Sequence, residues 1–330
     1  MTLSVIISGS GAFTPPNTVT NAQLCERVDT SDEWIVSRTG IKSRQLIAKE
    51  GEITTVDMAE KAAQAALRMA NTTAAELDMI IVGTVTPDYR LPSAACLLQN
   101  RLAAKHACAF DVVAACAGSL FGLSIASQFI CNGKYQKILV VGAEALSTIT
   151  NWSDRNTCVL FGDAASAVIL EASNEPQKGF IDFQLYSDGS HWQDIWIPQG
   201  GSKNPVSADT FETKGDRLIM NGRETFKFAV RALTSAALKI LESHHISLEK
   251  VHHIVAHQAN LRIIEAVAER LGISLDRFII NIDRFANTSS ASLLMTFDEG
   301  KRLGRFKDND LILMLSIGSG FAWGASLYRV

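Results

Sequence analysis

The chain has 330 residues, a formal net charge of -3, 20% charged residues and 47% apolar residues. That length suffices for two ordinary domains or one large α/β unit with a buried core. The near-neutral charge excludes an overall field directed at nucleic acid or a membrane surface, so any acidic partner must be met by a local basic patch.

From the N-terminus, MTLSVIISGSGAF reads as a first strand. No basic leader precedes its apolar stretch and no small-residue cleavage site follows it, which leads to the expectation of a cytoplasmic protein. The six cysteines, Cys25, Cys96, Cys108, Cys116, Cys131 and Cys158, show no CxxC spacing and fit reduced thiols rather than a disulfide framework or a zinc site. VDMAEKAAQAALRMA carries an apolar face at helical spacing and leads into a buried strand, ELDMIIVGT. CAFDVVAACAGS then reads as a second strand ending in a small-residue turn that holds Cys116. Val112 to Cys131 is free of charge over 20 residues, long enough to span a bilayer. Ser119, Ser124, Ser127 and Gln128 dilute it, and its first residues end a strand, so it is expected to be a helix buried on all sides. KILVVGAEALS closes the unit as a third strand.

The second half repeats this order. RETFKFAVRALTSAALKILES is a long amphipathic helix, KVHHIVAHQ a buried strand, FIINIDRFANTSSAS a strand and small-residue turn, and DLILMLSIGSG a closing strand. Cys116 and Asn287 fall at equivalent positions. The polar stretch ASNEPQKG, Ala172 to Gly179, reads as the connector between halves. Alternating helices and β-branched strands predict an α/β protein with mostly parallel sheets covered by helices. In such sheets reactive groups collect at the carboxyl ends of strands, where Cys116, His257, Asn287 and Gly318 are expected to converge.

A thiol is a nucleophile only as thiolate. A helix starting after Cys116 would point N–H groups and a positive dipole end at the sulfur, worth roughly 0.3 to 1 kcal/mol, which is less than one pKa unit. A further partner is therefore expected. His257, at a strand end before QAN, is preferred over His244, His245, His252 and His253. The histidines have no Cys, Asp or Glu at ligand spacing, so no metal is expected. Gly318 to Gly320 reads as a turn whose Ser319 N–H, with that of Cys116, receives an oxyanion. Gly9 to Gly11 also reads as a turn; neither stretch carries the full dinucleotide fingerprint. Asn287 supplies a neutral donor. Two donors facing a carbonyl point to enolate stabilisation, whereas a Cys-His hydrolase needs its base oriented by a third group.

DVVAACAG, VAHQANLRI, FANTSSAS and GSGFAWG, with TSDEWIVSRTGIKSR and LPSAAC, resemble the signatures of the β-ketoacyl-acyl-carrier-protein synthase III family of thiolase-like condensing enzymes. The resemblance runs essentially end to end. It implies a five-layered αβαβα duplication, with halves 1–174 and 175–330, that is usually a homodimer. It further implies an acyltransferase of the EC 2.3.1 class, acting in fatty acid biosynthesis. Cys116 would take an acyl group from acyl-coenzyme A. His257 and Asn287 would hold the thioester carbonyl of malonyl-acyl-carrier protein as carbon dioxide leaves, giving a 3-oxoacyl-acyl-carrier protein without metal or redox cofactor.

The same resemblance assigns coenzyme A contacts to Thr30, Trp34, Arg38 and Arg155, with the adenine between Trp34 and Arg155. Gly222, Phe226 and Asn260 would line the pantetheine tunnel. Lys227, Arg262 and Arg270 would dock the acidic carrier protein. Leu91 stands where acetyl-primed members have phenylalanine and reach across the dimer, so a longer acyl pocket is expected. Further departures are Glu269 at a commonly basic position and Ala164, Ser166 and Ser319 at glycine positions. Three alternatives remain at this level: a specialised transferase of secondary metabolism using longer primers or another acceptor, a non-catalytic docking homologue, and a Cys-His thioesterase. The docking homologue would tend to lose the nucleophile, and here Cys116, His257 and Asn287 are all present.

Overall fold

Apolar runs such as Ile80–Val82 and Ile138–Val141 have no polar face, so they form strands covered on both sides. The computed structural model describes residues 4–49 and 51–330. The first half runs β1 (Ser4–Phe13), α1 (Thr55–Met69), β2 (Met79–Gly83), α2 (Ala94–Arg101), β3 (Cys108–Val112), α3 (Gly118–Cys131), β4 (Lys137–Glu144) and β5 (Ala164–Ser173). The second runs β6 (Gly179–Ser187), α4 (Gly222–Ser243), β7 (His253–Ala256), α5 (Leu261–Leu271), α6 (Ala291–Arg302), β8 (Leu311–Gly318) and β9 (Ala322–Arg329). The chain passes from one sheet to the other between Ser173 and Gly179.

The first sheet has strand order β1-β5-β4-β2-β3 and the second β7-β8-β9-β6. Between them lie α3 and α6: Leu120 and Leu123 of α3 and Leu293 and Phe297 of α6 share one core with Val140 and Met314 from the two facing sheets. Each fully buried leucine there is worth roughly 1.5–3 kcal/mol over an exposed one. On the outer face of the first sheet α1 and α2 pack, with Ala59, Ala63 and Ala66 against Leu139 and Ala167. On the other side, α4 and α5 cover the second sheet through Leu233, Ala237 and Ile264. The result is the five-layered αβαβα arrangement. The uncharged stretch read as a helix buried on all sides is α3, in the central layer; it is buried along Leu120, Leu123, Ala126 and Ile130 but not on every side, since Gln128 is exposed. Among the described residues no helix is long and apolar enough to cross a membrane.

Three expectations need correction. The sheets are mixed rather than mostly parallel: β2 runs parallel to β3 and β4, and β7 to β8, but β1, β5, β6 and β9 all pair antiparallel. β8 and β9 are joined by Ser319–Phe321 alone, too short for the crossover that parallel strands need. FIINI forms only a bridge, Phe278 beside Ile254, because the short helix Ile282–Phe285 turns the chain away at once. Gly9 and Gly11 lie inside β1, not in a turn. A Cβ there would stand 2.3 Å from Ala66 O and 2.6 Å from Ala62 O, so these glycines let α1 press on the sheet.

Candidate active site

At the carboxyl ends of β3, β4, β7 and β8 the two halves enclose a cavity of about 1450 Å³ that Cys116, His257, Asn287 and Ser319 all line. Cys116 sits in a single 3-10 turn, Ala115–Ala117, ahead of α3. Ala115 holds a left-handed φ of 46°, a costly conformation that turns the chain sharply and leaves the thiol facing the cavity. Among the described residues no side chain caps α3, and its first N–H, that of Gly118, is already given to Ala115 O. Gly318 fits against this turn: a Cβ would come within 2.6 Å of both Ala114 O and Cys116 N. Ser316 donates to Cys116 O at 3.0 Å and fixes the turn from the other side.

The thiol is not lowered as expected. Burial pushes it up to about 12; a hydrogen bond with the Ser289 hydroxyl acts in the opposite sense and the charge of Glu144 raises it further. Ser289 and His257 both line the cavity with Cys116.

His257 follows β7 and is 3% exposed. Its Nδ1 is hydrogen-bonded to the Ser292 hydroxyl. That hydroxyl also accepts from Gln258 N–H at 3.3 Å and keeps its own hydrogen and a second lone pair for Nδ1. When it donates to Nδ1, the hydrogen of the neutral ring is on Nε2, as a donor. Burial holds the imidazole neutral, pushing it down to about 3. Unfolding consequently takes up a proton between about pH 3 and 6.5, and stability, complete above 6.5, falls on acidification by up to about 1.4 kcal/mol per pH unit. His257→Gln is expected to flatten the acid limb of melting temperature against pH. An unchanged limb would mean that the folded protein already carries the proton.

Asn287 is 7% exposed and is tied by its backbone to the 160–162 segment, with N–H to Leu160 O at 2.9 Å and O from Gly162 N–H at 3.0 Å. Its Oδ1 accepts Ser289 N–H at 2.8 Å. This turns the amide and leaves Nδ2 as the donor toward the cavity. Ala286 and Ser289 on either side have φ of 59° and 50°, so the segment is held in a strained shape by its neighbours. In the 318–320 turn the left-handed φ of 136° falls on Gly320, so Ser319 needs no glycine backbone, and its hydroxyl donates to the O of Ile195, another residue of the cavity wall.

Among the coenzyme candidates, Trp34, Arg38, Gly222, Phe226 and Asn260 line the cavity. Thr30 and Arg155 do not. Arg155 lies against Trp34, its guanidinium carbon 5.1 Å from the ring centroid, so a purine between the two requires the arginine to swing out. The Thr30 hydroxyl is buried and has no hydrogen-bond partner among the described residues. Asn260 caps α5 and donates to Arg38 O at 3.2 Å, joining two segments of the cavity wall. Of the docking candidates, Lys227 and Arg262 border the cavity, while Arg270 lies two turns further along α5. Lys227 is paired with Glu224 at 2.8 Å, and Arg223, which the sequence reading missed, stands beside it on the cavity. Glu269 is exposed next to Arg270.

Leu91 is 87% exposed and lies outside its own cavity. Ala164 and Ser166 serve packing: Ala164 meets Ala291 and Met295, and the Ser166 hydroxyl donates to Ala291 O at 2.6 Å. Sequence reasoning also missed Ser289, Ser292 and Glu144. The signals were the run of hydroxyls in NTSSAS and a lone charge ending the apolar strand KILVVGAE.

Residues 110–189 match the family model for 3-oxoacyl-[acyl-carrier-protein] synthase III, and residues 241–330 match the model for its C-terminal part. The β-ketoacyl-[acyl-carrier-protein] synthase III of Oceanobacillus iheyensis is 45% identical over 99% of both chains. That of Xylella fastidiosa strain 9a5c is 47% identical over 98% of this chain and 97% of its own. The crystal structure of 3-oxoacyl-[acyl-carrier-protein] synthase III from Aquifex aeolicus superposes with a TM-score of 0.89 at 42% identity, over 99% of this chain and 100% of its own. These relatives do not favour a specialised transferase. With Cys116, His257, Asn287 and the 318–320 turn lining one cavity of a thiolase-like fold, the chain belongs to the 3-oxoacyl-[acyl-carrier-protein] synthase III family, acyl-transferring condensing enzymes that initiate fatty acid synthesis.

Proposed function

We propose that Cys116 attacks the thioester of an acyl-coenzyme A primer, releases coenzyme A and keeps the acyl group as a thioester. Malonyl-acyl-carrier protein then occupies the same cavity. His257 Nε2–H and Asn287 Nδ2–H donate to its thioester carbonyl as carbon dioxide leaves, and the resulting carbanion attacks the acyl group on Cys116. Carbon dioxide loss drives the step, so neither metal nor redox cofactor is required. The N–H groups of Cys116 and Ser319 receive the oxyanion.

One observation carries this assignment: both donors have their acceptor ends occupied, His257 Nδ1 by Ser292 and Asn287 Oδ1 by Ser289, and share a cavity with the thiol. In the tautomer with hydrogen on Nε2 the imidazole holds no lone pair there for the thiol proton, which argues against a Cys-His thioesterase. The wall formed by Trp34, Arg38, Gly222, Phe226 and Asn260, with Thr30 and Arg155 at its outer end, suits coenzyme A. Arg262, Arg270 and Lys227 suit an acidic carrier protein.

We further propose a homodimer across the β3 edge. Among the described residues this strand pairs only with β2, and Val113, which follows it, and Leu91 are 79% and 87% exposed. Leu91 would then close the partner's acyl pocket. A cytoplasmic setting suits a nucleophile that must remain a thiol.

The test is intact-protein mass spectrometry after exposure to acyl-coenzyme A species from acetyl to dodecanoyl, followed by malonyl-acyl-carrier protein. Wild type should gain the acyl mass and lose it on condensation, with primers longer than acetyl accepted. Leu91→Phe should shift the preference to acetyl. A free acid released without malonyl consumption would sink the assignment, and an unchanged primer profile in Leu91→Phe would sink the role of Leu91.

A further inference from the structure

Arg44 is fully buried in the short strand Ser43–Gln45 and lies outside the cavity. Burial lowers its guanidinium only to about 10, so it is a cation at neutral pH. Its Nη2 donates to Val159 O at 3.0 Å, and its Nη1 donates to Asn21 Oδ1 at 2.7 Å and to Val19 O at 3.4 Å. Among the described residues no carboxylate pairs with it directly. Asn21 Nδ2 donates to Asp32 Oδ1 at 2.8 Å, which links the cation through a neutral amide to an exposed acid at the start of helix Asp32–Thr39. A buried charge held by neutral groups is unfavourable. Packing alone would be served as well or better by an apolar side chain of the same size.

Around Arg44 the chain brings together the two segments that hold Asn287. Val159, a residue of the cavity wall, begins the first of them. Next to it, Leu160 O accepts Asn287 N–H at 2.9 Å, and Gly162 N–H donates to Asn287 O at 3.0 Å. Gln45 O accepts Asp163 N–H at 2.9 Å and closes the far end of that segment. The second segment leads into Ala286 and Asn287: Lys42 N–H donates to Asp283 O at 2.8 Å, and the Ser43 hydroxyl to Arg284 O at 3.1 Å. There is little slack between the two, since a Cβ on Gly162 would stand 2.4 Å from Phe285 O and 3.4 Å from Arg44 Cβ. Residues 42–45 therefore grip Asn287 from both sides. Of these contacts, the one to Val159 O depends on the guanidinium.

We propose that Arg44 is a positioning residue for Asn287: its guanidinium holds Val159 O and so sets the 159–162 segment from which the Asn287 amide is aimed into the cavity. The proposal rests on Asn287 being a donor in condensation. Without the guanidinium, Val159 O and Asn21 Oδ1 lose a charged donor in a buried place, and the segment must shift to find another. A displacement of about 1 Å at a donor costs roughly 10²-fold in the step it serves. Cys116 is carried by a different turn, fixed by Ser316 and Gly318, so acylation does not follow the same shift.

The decisive measurement splits the two half-reactions in Arg44→Met, Arg44→Lys and Asn287→Ala. Acylation is timed by intact mass with an acyl-coenzyme A. Condensation with malonyl-acyl-carrier protein is then counted per acylated enzyme, so molecules that fail to fold drop out. Arg44→Met removes every donor, and condensation is expected to fall about 100-fold with acylation within several-fold of wild type. Arg44→Lys keeps the buried charge, but one ammonium cannot replace a fork that spans Asn21 Oδ1 and Val159 O, so condensation alone should fall about tenfold. This second variant carries the test by itself should Arg44→Met yield no folded protein.

Condensation per acylated enzyme within twofold of wild type in the folded Arg44 variants would overturn the proposal. Equal loss of both half-reactions would do so too, because it would mark Arg44 as structural alone. Asn287→Ala that condenses at the wild-type rate would remove the reading of Asn287 itself, an outcome distinct from either.

Discussion

Cys116→Ser is expected to gain no acyl mass from any acyl-coenzyme A, whereas Asn287→Ala is expected to acylate at near the wild-type rate and to lose condensation about 10²–10³-fold, the usual loss for one oriented donor to a developing oxyanion. The division follows from what each group can reach. Asn287 presents only Nδ2, and its other end is held by Ser289 N–H. Alanine leaves that N–H without a partner in a buried strained segment, so some stability loss is expected alongside the rate loss. Asn287→Asp also removes the amide donor while keeping an acceptor for Ser289 N–H, and condensation should again be lost. Its carboxyl, buried beside the Ser289 that Glu144 holds, should lower the melting temperature at neutral pH. Mass spectra of the acylated enzymes and assay of 3-oxoacyl product supply the readouts. Acylation lost equally in Cys116→Ser and Asn287→Ala would defeat the division of labour.

The catalytic candidates were legible because each sits at a point where an apolar strand stops and small or polar residues begin. Cys116 after CAFDVV, His257 after HHIVA and Gly318 closing DLILMLSI needed only the rule that strand ends of such sheets face a common crevice. Pairing direction was not legible. A strand covered on both faces carries the same apolar run whether its neighbour is parallel or antiparallel, so β5 and β9 gave no sign that they run back. FIINI has strand composition, and only the packing of the segment after it limits its pairing to one bridge. The hydroxyl network was hidden for a different reason. Ser289, Ser290 and Ser292 are adjacent and chemically alike, yet one is bonded to Glu144, one to Gly83 and Glu144, and one to Nδ1 of His257. Which does which is decided by φ at Ser289 and by the start of α6, not by residue type.

Gly318→Ala should be the most damaging substitution that leaves every polar side chain of the site in place. The added methyl would stand 2.6 Å from Ala114 O, 2.6 Å from Cys116 N and 2.9 Å from Ala117 N, all backbone atoms, so no rotamer change can relieve it. Either β8 or the Cys116 turn must move. The turn already holds an unfavourable φ at Ala115 and is pinned by Ser316, so displacement there carries the sulfur and one oxyanion N–H together. A shift of about 1 Å at a reacting atom costs roughly 10²-fold, and overpacking of this kind costs about 1–3 kcal/mol of stability. Acylation by intact mass and melting temperature should therefore both fall. Gly222→Ala is the matching control: its methyl meets only Met220 Cε at 3.7 Å, an ordinary contact, at the start of α4 on the cavity wall. That variant should fold as wild type and raise KM for acyl-coenzyme A with kcat retained. Wild-type acylation in Gly318→Ala would mean that the Cys116 turn is free to move without loss, and the preorganised geometry around the thiol would no longer account for catalysis.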